Sequence, residues 1–168
     1  MTMSRFMAAA AAVCLIAVPG ANALDRPTGD VVLTISGTMD EPNVGNTAQF
    51  DLAMLEKLQG RTGTMVTPWT DGKRTFSGPL LRAVLDAAHV HGRTLKVTAL
   101  NDYSADVPVD DATTLDTMLA TRVDGKLISV RDKGPLFLIY PFDKQPDIYN
   151  EKYFSRSVWQ IKAIEVEQ

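Results

Sequence analysis

Cysteine is almost missing from this chain of 168 residues: the single one is Cys14. Histidine and tryptophan are nearly as scarce, with two of each. So little sulfur and imidazole leaves few residues for a zinc or iron site, and one cysteine cannot form an internal disulfide. Positive charge is also short. Lys plus Arg comes to 17 against 20 Asp plus Glu, a formal net charge of −3. That excludes nucleic-acid binding through bulk charge, because neutralising phosphates needs a net basic surface or stripe. Low-complexity tracts are absent, and with 45% apolar residues the chain can bury an ordered core. The dinucleotide-binding G-x-G-x-x-G, the phosphate loop G-x-x-x-x-G-K-[ST], H-E-x-x-H and G-x-S-x-G are all missing. Length alone argues for one domain.

What is present begins with an export pattern. Met1 to Arg5 carries one positive charge, Phe6 to Val18 is an unbroken apolar run, and Pro19-Gly20 stops it. Ala21-Asn22-Ala23 then supplies small residues where a signal peptidase reads. The run falls short of the roughly 20 residues that cross a bilayer. Val13 precedes Cys14, where a lipid-modification site requires a small residue, so a lipoprotein reading fails. The expectation is a signal peptide over 1–23, cleaved after Ala23, and one module over 24–168 in a bacterial periplasm. Processing would remove Cys14 and with it every thiolate ligand or nucleophile.

Along the module, Val31–Ile35 reads as a strand and Thr38–Thr47 as a loop of Asp, Asn, Gly and Pro. Asp51 suits the cap of a short helix ending at Gly60, and Thr62–Thr67 is a β run halted by Pro68-Trp69. The spacing of Leu80, Leu81, Val84, Leu85 and Ala88 predicts a helix over Pro79–His91, stopped by Gly92. Leu95, Val97 and Ala99 alternate as in a half-buried strand. Val107–Val109 is extended, and Asp110-Asp111 can cap a turn of helix. Asp124-Gly125, flanked by Leu119–Val123 and Lys126–Val130, signals a hairpin. Leu136–Tyr140 is apolar throughout and so covered on both faces. Val158–Val166 changes apolar parity at Ile164, which implies a bulge. The sum is an α+β domain with a mixed, mostly antiparallel sheet of six to eight short strands.

Candidate chemistry is thin. His89 and His91, two residues apart, make a poor metal pair and read as solvated helix-end residues. No hydrolytic set can be assembled. What remains are aromatic and polar groups at strand ends: Trp69 with Thr70, then Asn101, Asp102 and Tyr103, then Arg131 and Lys133, then Tyr140 and Trp159. An aromatic plate with amide, carboxylate and cationic groups is what a flat polar heterocycle needs. Adjacent residues on a strand point opposite ways, so the pattern leaves open which of Asn101 and Asp102 faces a pocket.

Several segments occur together in a recognisable order: Phe76-Ser77-Gly78-Pro79-Leu80-Leu81 with Val84-Leu85, Leu100 to Pro108, Asp124-Gly125-Lys126, Gly134-Pro135-Leu136 through Pro141, and Trp159 to Ile164. Over most of the module this resembles the sulfite-oxidase-type molybdopterin-binding domain, which implies a barrel-like, mostly antiparallel α+β fold. In that family a loop cysteine ligates molybdenum. The matching region here, about Thr67-Pro68-Trp69-Thr70, has no thiol, and Phe137 stands where larger members tend to have an arginine. A molybdenum cofactor is therefore not expected.

The Trp69-Thr70-Asp71-Gly72 variant with Asp132-Lys133-Gly134-Pro135 is most similar to small periplasmic proteins of this fold that bind free pterins. Those proteins dock on the periplasmic domain of an inner-membrane cyclic-di-GMP enzyme. The resemblance implies a non-enzymatic pterin sensor, with Trp69 as the stacking face, Asn101 and Asp102 for the amino-pyrimidinone edge, and Arg131 or Lys133 for a carbonyl or hydroxyl. Two alternatives stand beside it. One is a molybdopterin-dependent oxidoreductase with non-thiolate ligation; the other is a ligand-free adaptor whose pocket is filled by Trp69 and Trp159.

Overall fold

The computed structural model describes residues 24–168, so the expected signal segment and Cys14 lie outside the described residues. β1 (Val31–Gly37) and β2 (Ala48–Asp51) form an antiparallel pair, followed directly by helix α1 (Leu52–Lys57). β3 (Gly60–Val66) and β4 (Lys73–Pro79) run antiparallel across seven residue pairs. Helix α2 (Leu81–Ala87), β5 (Thr94–Ala99), β6 (Ser104–Pro108) and helix α3 (Val109–Thr113) follow. Short strands β7 (Met118–Ala120), β8 (Arg122–Val123), β9 (Lys126–Leu127) and β10 (Phe137–Ile139) lead to helix α4 (Glu151–Arg156) and β11 (Ile161–Glu167).

Three sheets result: β2-β1-β11-β5-β6, β3-β4-β8-β9, and the pair β10-β7. Among the described residues only β1 and β11 pair in parallel; the other ladders are antiparallel. The α+β, mostly antiparallel expectation holds. The barrel-like form does not, because the strands divide into separate open sheets. More strands form than the six to eight expected, since β2 and β4 lie outside the expected runs and Leu119–Val123 divides between β7 and β8.

Burial follows strand alternation. Leu33 and Ile35 of β1, Leu95 and Val97 of β5, and Ile164 and Val166 of β11 point into one core with Leu81, Val84 and Leu85 of α2. Residues 136–140 are buried at every position, as the unbroken apolar run requires. The parity change in β11 is a bulge, with the register against β5 shifting between Ile161 and Ala163.

Two glycines of the recognised segments act through close approach. A Cβ on Gly78 would lie 2.1 Å from the Leu119 carbonyl oxygen, and one on Gly134 would lie 1.8 Å from that of Ile128. Each lets one strand or loop cross another at backbone contact.

Several local expectations are corrected. Pro79 closes β4 instead of opening a helix. Leu80 is extended (φ −65°, ψ 138°) and its N–H donates to the Gln59 carbonyl, so α2 starts at Leu81. The helix ends at Ala87, and the left-handed residue after it is His89 (φ 48°), not Gly92. His91 pairs with Asp40 at 2.8 Å on the surface. Gly60 opens β3 instead of stopping α1. The Asp124-Gly125 turn forms, with both residues at positive φ, but its strands are only two residues long on each side. Residues 130–132 are a 3-10 turn, and the last strand begins at Ile161, not Val158. Asp110 and Asp111 lie in the first turn of α3, and Pro108 holds the cap position.

The cap expected at Asp51 is present. Its carboxylate accepts the N–H of Met54, Thr28 and Gly29, each at 2.9 Å. These backbone donors, that of Gly29 foremost, hold the Asp51 carboxyl below its ordinary value of 3.8. A carboxyl with a lowered folded-state pKa contributes stability above its unfolded value and loses it as pH falls through the folded value. The stability that Asp51 contributes is therefore lost as pH falls below about 4, and Asp51→Ala lowers the neutral-pH urea midpoint while flattening the acid limb. Urea titrations across pH 2–7 measure both effects.

Candidate functional site

Trp69 stands in the turn between β3 and β4. Thr67 is buried, its hydroxyl pairs with that of Thr70 at 2.9 Å, and the Thr70 N–H donates to the Thr67 carbonyl. This turn raises the indole onto three other rings. Trp69 meets Phe137 edge-to-face at 5.4 Å, Phe154 at 5.8 Å and Trp159 at 5.9 Å. Phe137, only 1% exposed, also touches Phe76 at 6.2 Å and Trp159 at 6.0 Å. Contacts of this geometry add about 0.5–1.5 kcal/mol per pair beyond burial. The phenyl ring at 137 thus forms the floor under both indoles.

Open space lies on both sides of Trp69. A cavity of about 390 Å³ is walled by Trp69, Asn101, Tyr103, Phe154 and Trp159. A second, of about 530 Å³, is bordered by Trp69, Thr70, Arg74, Lys126, Arg131 and Lys133. Trp159 keeps 36% of its surface exposed. The two indoles therefore border open cavities and do not fill them.

The two cavities differ in chemistry. The first is aromatic with a few polar groups; the second is rimmed by four cationic side chains together with Asp71, Asp124 and Asp132. Arg74 is neutralised by Asp124 at 2.8 Å. The Thr75 N–H and then Arg74 hold the Asp124 carboxyl below its ordinary range. Lys126, Arg131 and Lys133 join no ion pair among the described residues. The Lys133 ammonium lies 6.0 Å from the Trp159 ring centroid, at the edge of cation–π range. Backbone bonds tie this loop to the segment before β11: the Gln160 N–H donates to the Lys133 carbonyl, and its side-chain amide donates to the Val130 carbonyl.

Seven of the nine residues singled out from the sequence border one cavity or the other: Trp69, Thr70, Asn101, Tyr103, Arg131, Lys133 and Trp159. Asp102 and Tyr140 do not. Asp102 turns away at φ 65° and pairs with Lys162 at 2.6 Å on the surface; that ammonium keeps its carboxyl below the ordinary range. Asn101 is the member of the pair that faces the cavity. Tyr140 is fully buried, donating its phenol to Asp111 at 2.7 Å, while Arg156 donates to the same oxygen at 2.8 Å. Burial first, then Asp111, pushes the phenol pKa far up. Tyr140 is a core residue that anchors α3 to the end of α4.

Sequence reasoning missed α4 and with it Glu151, Phe154, Ser155 and Ser157 on the first cavity. A signal was there: Asn150 precedes an acidic first turn, and its side chain caps the Lys152 N–H at 3.1 Å.

Two aromatic-edged cavities against a mostly antiparallel α+β scaffold define a small-molecule binding domain. The chain belongs to the oxidoreductase molybdopterin binding domain family, whose model matches residues 31–167 and so runs from the first strand to the last. That membership supports pterin binding at a general level. No curated protein matches the chain closely enough to count as a relative.

The two halves of a molybdopterin cofactor make different demands. The heterocycle needs flat aromatic walls and a few hydrogen-bonding groups, which the first cavity has. By the family resemblance, the metal takes a single thiolate from the loop after an early strand. The 67–72 loop offers two hydroxyls bonded to each other and the Asp71 carboxylate. Among the described residues no group of three or more His, Cys, Asp or Glu could hold a metal ion. The pterin half fits these residues, and the 67–72 loop holds no thiolate for the metal half.

Removing the ring beneath the indoles tests this architecture. Phe137→Ala costs roughly 3–5 kcal/mol of stability. It also red-shifts the tryptophan emission of the folded protein, as measured by urea unfolding and by fluorescence below the transition.

Proposed function

We propose that the protein is a non-enzymatic pterin-binding module that carries out no chemistry on its ligand and signals through a membrane partner. The observation that carries this reading is the indole pair, Trp69 and Trp159, bordering an open cavity of about 390 Å³ in a molybdopterin-domain fold whose loop lacks a metal-ligating set. An exposed aromatic face stacks a flat heterocycle with about 1–3 kcal/mol per ring. The N-terminal pattern supports export to the periplasm with cleavage after Ala23. The likeness to small pterin-binding regulators supports the periplasmic domain of an inner-membrane cyclic-di-GMP enzyme as the partner. No helix among the described residues is long and apolar enough to cross a membrane.

A second reading, a molybdopterin-dependent oxidoreductase, draws on the cationic rim of the other cavity, since unpaired Lys126, Arg131 and Lys133 suit an anionic cofactor tail. Fluorescence titration with a panel of reduced and oxidised pterins, alongside elemental analysis, separates the two. The binding module takes up pterin without molybdenum, and Trp159→Ala weakens uptake by about 1–3 kcal/mol at a temperature where near-ultraviolet circular dichroism shows the variant still folded. Trp69→Ala abolishes it. Stoichiometric molybdenum in protein from molybdate-fed cells, or full pterin affinity in both variants, defeats the proposal.

A further inference from the structure

Resting on that reading, the first cavity carries a more specific message in its unused hydrogen-bonding groups. Three hydroxyls line it or lie at its wall, and each has its proton committed within the protein. Tyr103 donates to the Ser155 carbonyl at 3.2 Å, Ser155 to that of Lys152 at 2.9 Å, and Ser157 to that of Tyr153 at 2.8 Å. The Asn101 carbonyl oxygen accepts the Tyr103 N–H at 3.2 Å, which leaves its amide NH₂ as a free donor.

Glu151 is the only acidic residue on this cavity, and its carboxylate joins no ion pair among the described residues. Side-chain amide and carboxylate thus present one donor and a two-oxygen acceptor beside four aromatic rings. A carboxylate binds two parallel N–H groups best, because both oxygens are then used in one plane.

We infer that Glu151 is a specificity-determining residue that reads the 2-amino-4-oxo edge of the bound heterocycle. Its carboxylate accepts from the ring N3–H and the 2-amino group, and the Asn101 amide donates to the 4-oxo oxygen. The ligand class is therefore a 2-amino-4-oxopteridine. A 2,4-dioxopteridine, which replaces the amino donor by a carbonyl, sets oxygen against carboxylate and is rejected.

The test is calorimetric titration of the whole protein with pterin and with lumazine, the 2,4-dioxo analogue, in wild type and Glu151→Gln. Glu151 is exposed and outside the core, and near-ultraviolet circular dichroism checks that the variant keeps its packing. Wild type prefers pterin over lumazine. In Glu151→Gln pterin binding weakens roughly tenfold and lumazine binding strengthens, because a glutamine amide can donate to the 2-oxo group while its oxygen still accepts from N3–H. An unchanged pterin-to-lumazine ratio in the variant overturns the role of Glu151 and leaves the pterin-binding reading standing. Wild-type protein that binds neither pteridine overturns both.

Discussion

The phenyl ring of Phe137 lies on a strand buried on both faces, and both indoles of the molecule lean on it. Its position is over-determined. β10 pairs with β7, and the backbone of Phe137 also bridges to that of Trp159. A ring fixed this firmly from below lets Trp69 and Trp159 stay partly exposed without collapsing into the core. A buried arginine there would need a carboxylate or phosphate partner. Phenylalanine needs only neighbouring carbon, and it makes the floor of the site an aromatic surface.

Around that floor the chain segments are held by backbone contact more than by side chains. Gly78 brings β4 against β7, and Gly134 brings the 130–133 loop against Ile128. The bonds from Gln160 then join that loop to the segment carrying Trp159. The glycines most visible in the recognised segments are therefore scaffold, and groups available to a ligand sit beside these contacts, Lys133 next to Gly134 and Trp159 next to Gln160.

Charge is distributed against the whole-molecule balance. The protein is net acidic, and one cavity gathers four cations with three carboxylates while Glu151 is the acidic residue on the other. Trp69 borders both. An aromatic chamber with one carboxylate beside a chamber of mixed charge discriminates by the hydrogen-bond polarity of a ligand's edge, which size alone does not control. Elsewhere acids and bases cancel locally, as in the link between Asp111, Arg156 and Tyr140 that pins α4 in place.

The strands with clear alternation or unbroken burial, β1, β5 and the β10 segment, were legible in the sequence, as were the Asp51 cap, the Asp124-Gly125 turn and the bulge in β11. Each depends on residues close together in the chain, where period and turn chemistry act directly. The indoles and most polar groups of the site could be singled out for the same reason: they sit where apolar runs stop. Long-range packing decided the rest. Leu80 was drawn out of a helix by the Gln59 carbonyl, and the Tyr140 hydroxyl found its acceptor in a carboxylate 29 residues away. The choice of Asn101 over Asp102 followed from Lys162, 60 residues on. Glu151 entered the site because Asp111 and Tyr140 anchor the helix that bears it, and no local pattern in the chain encodes a partner that distant.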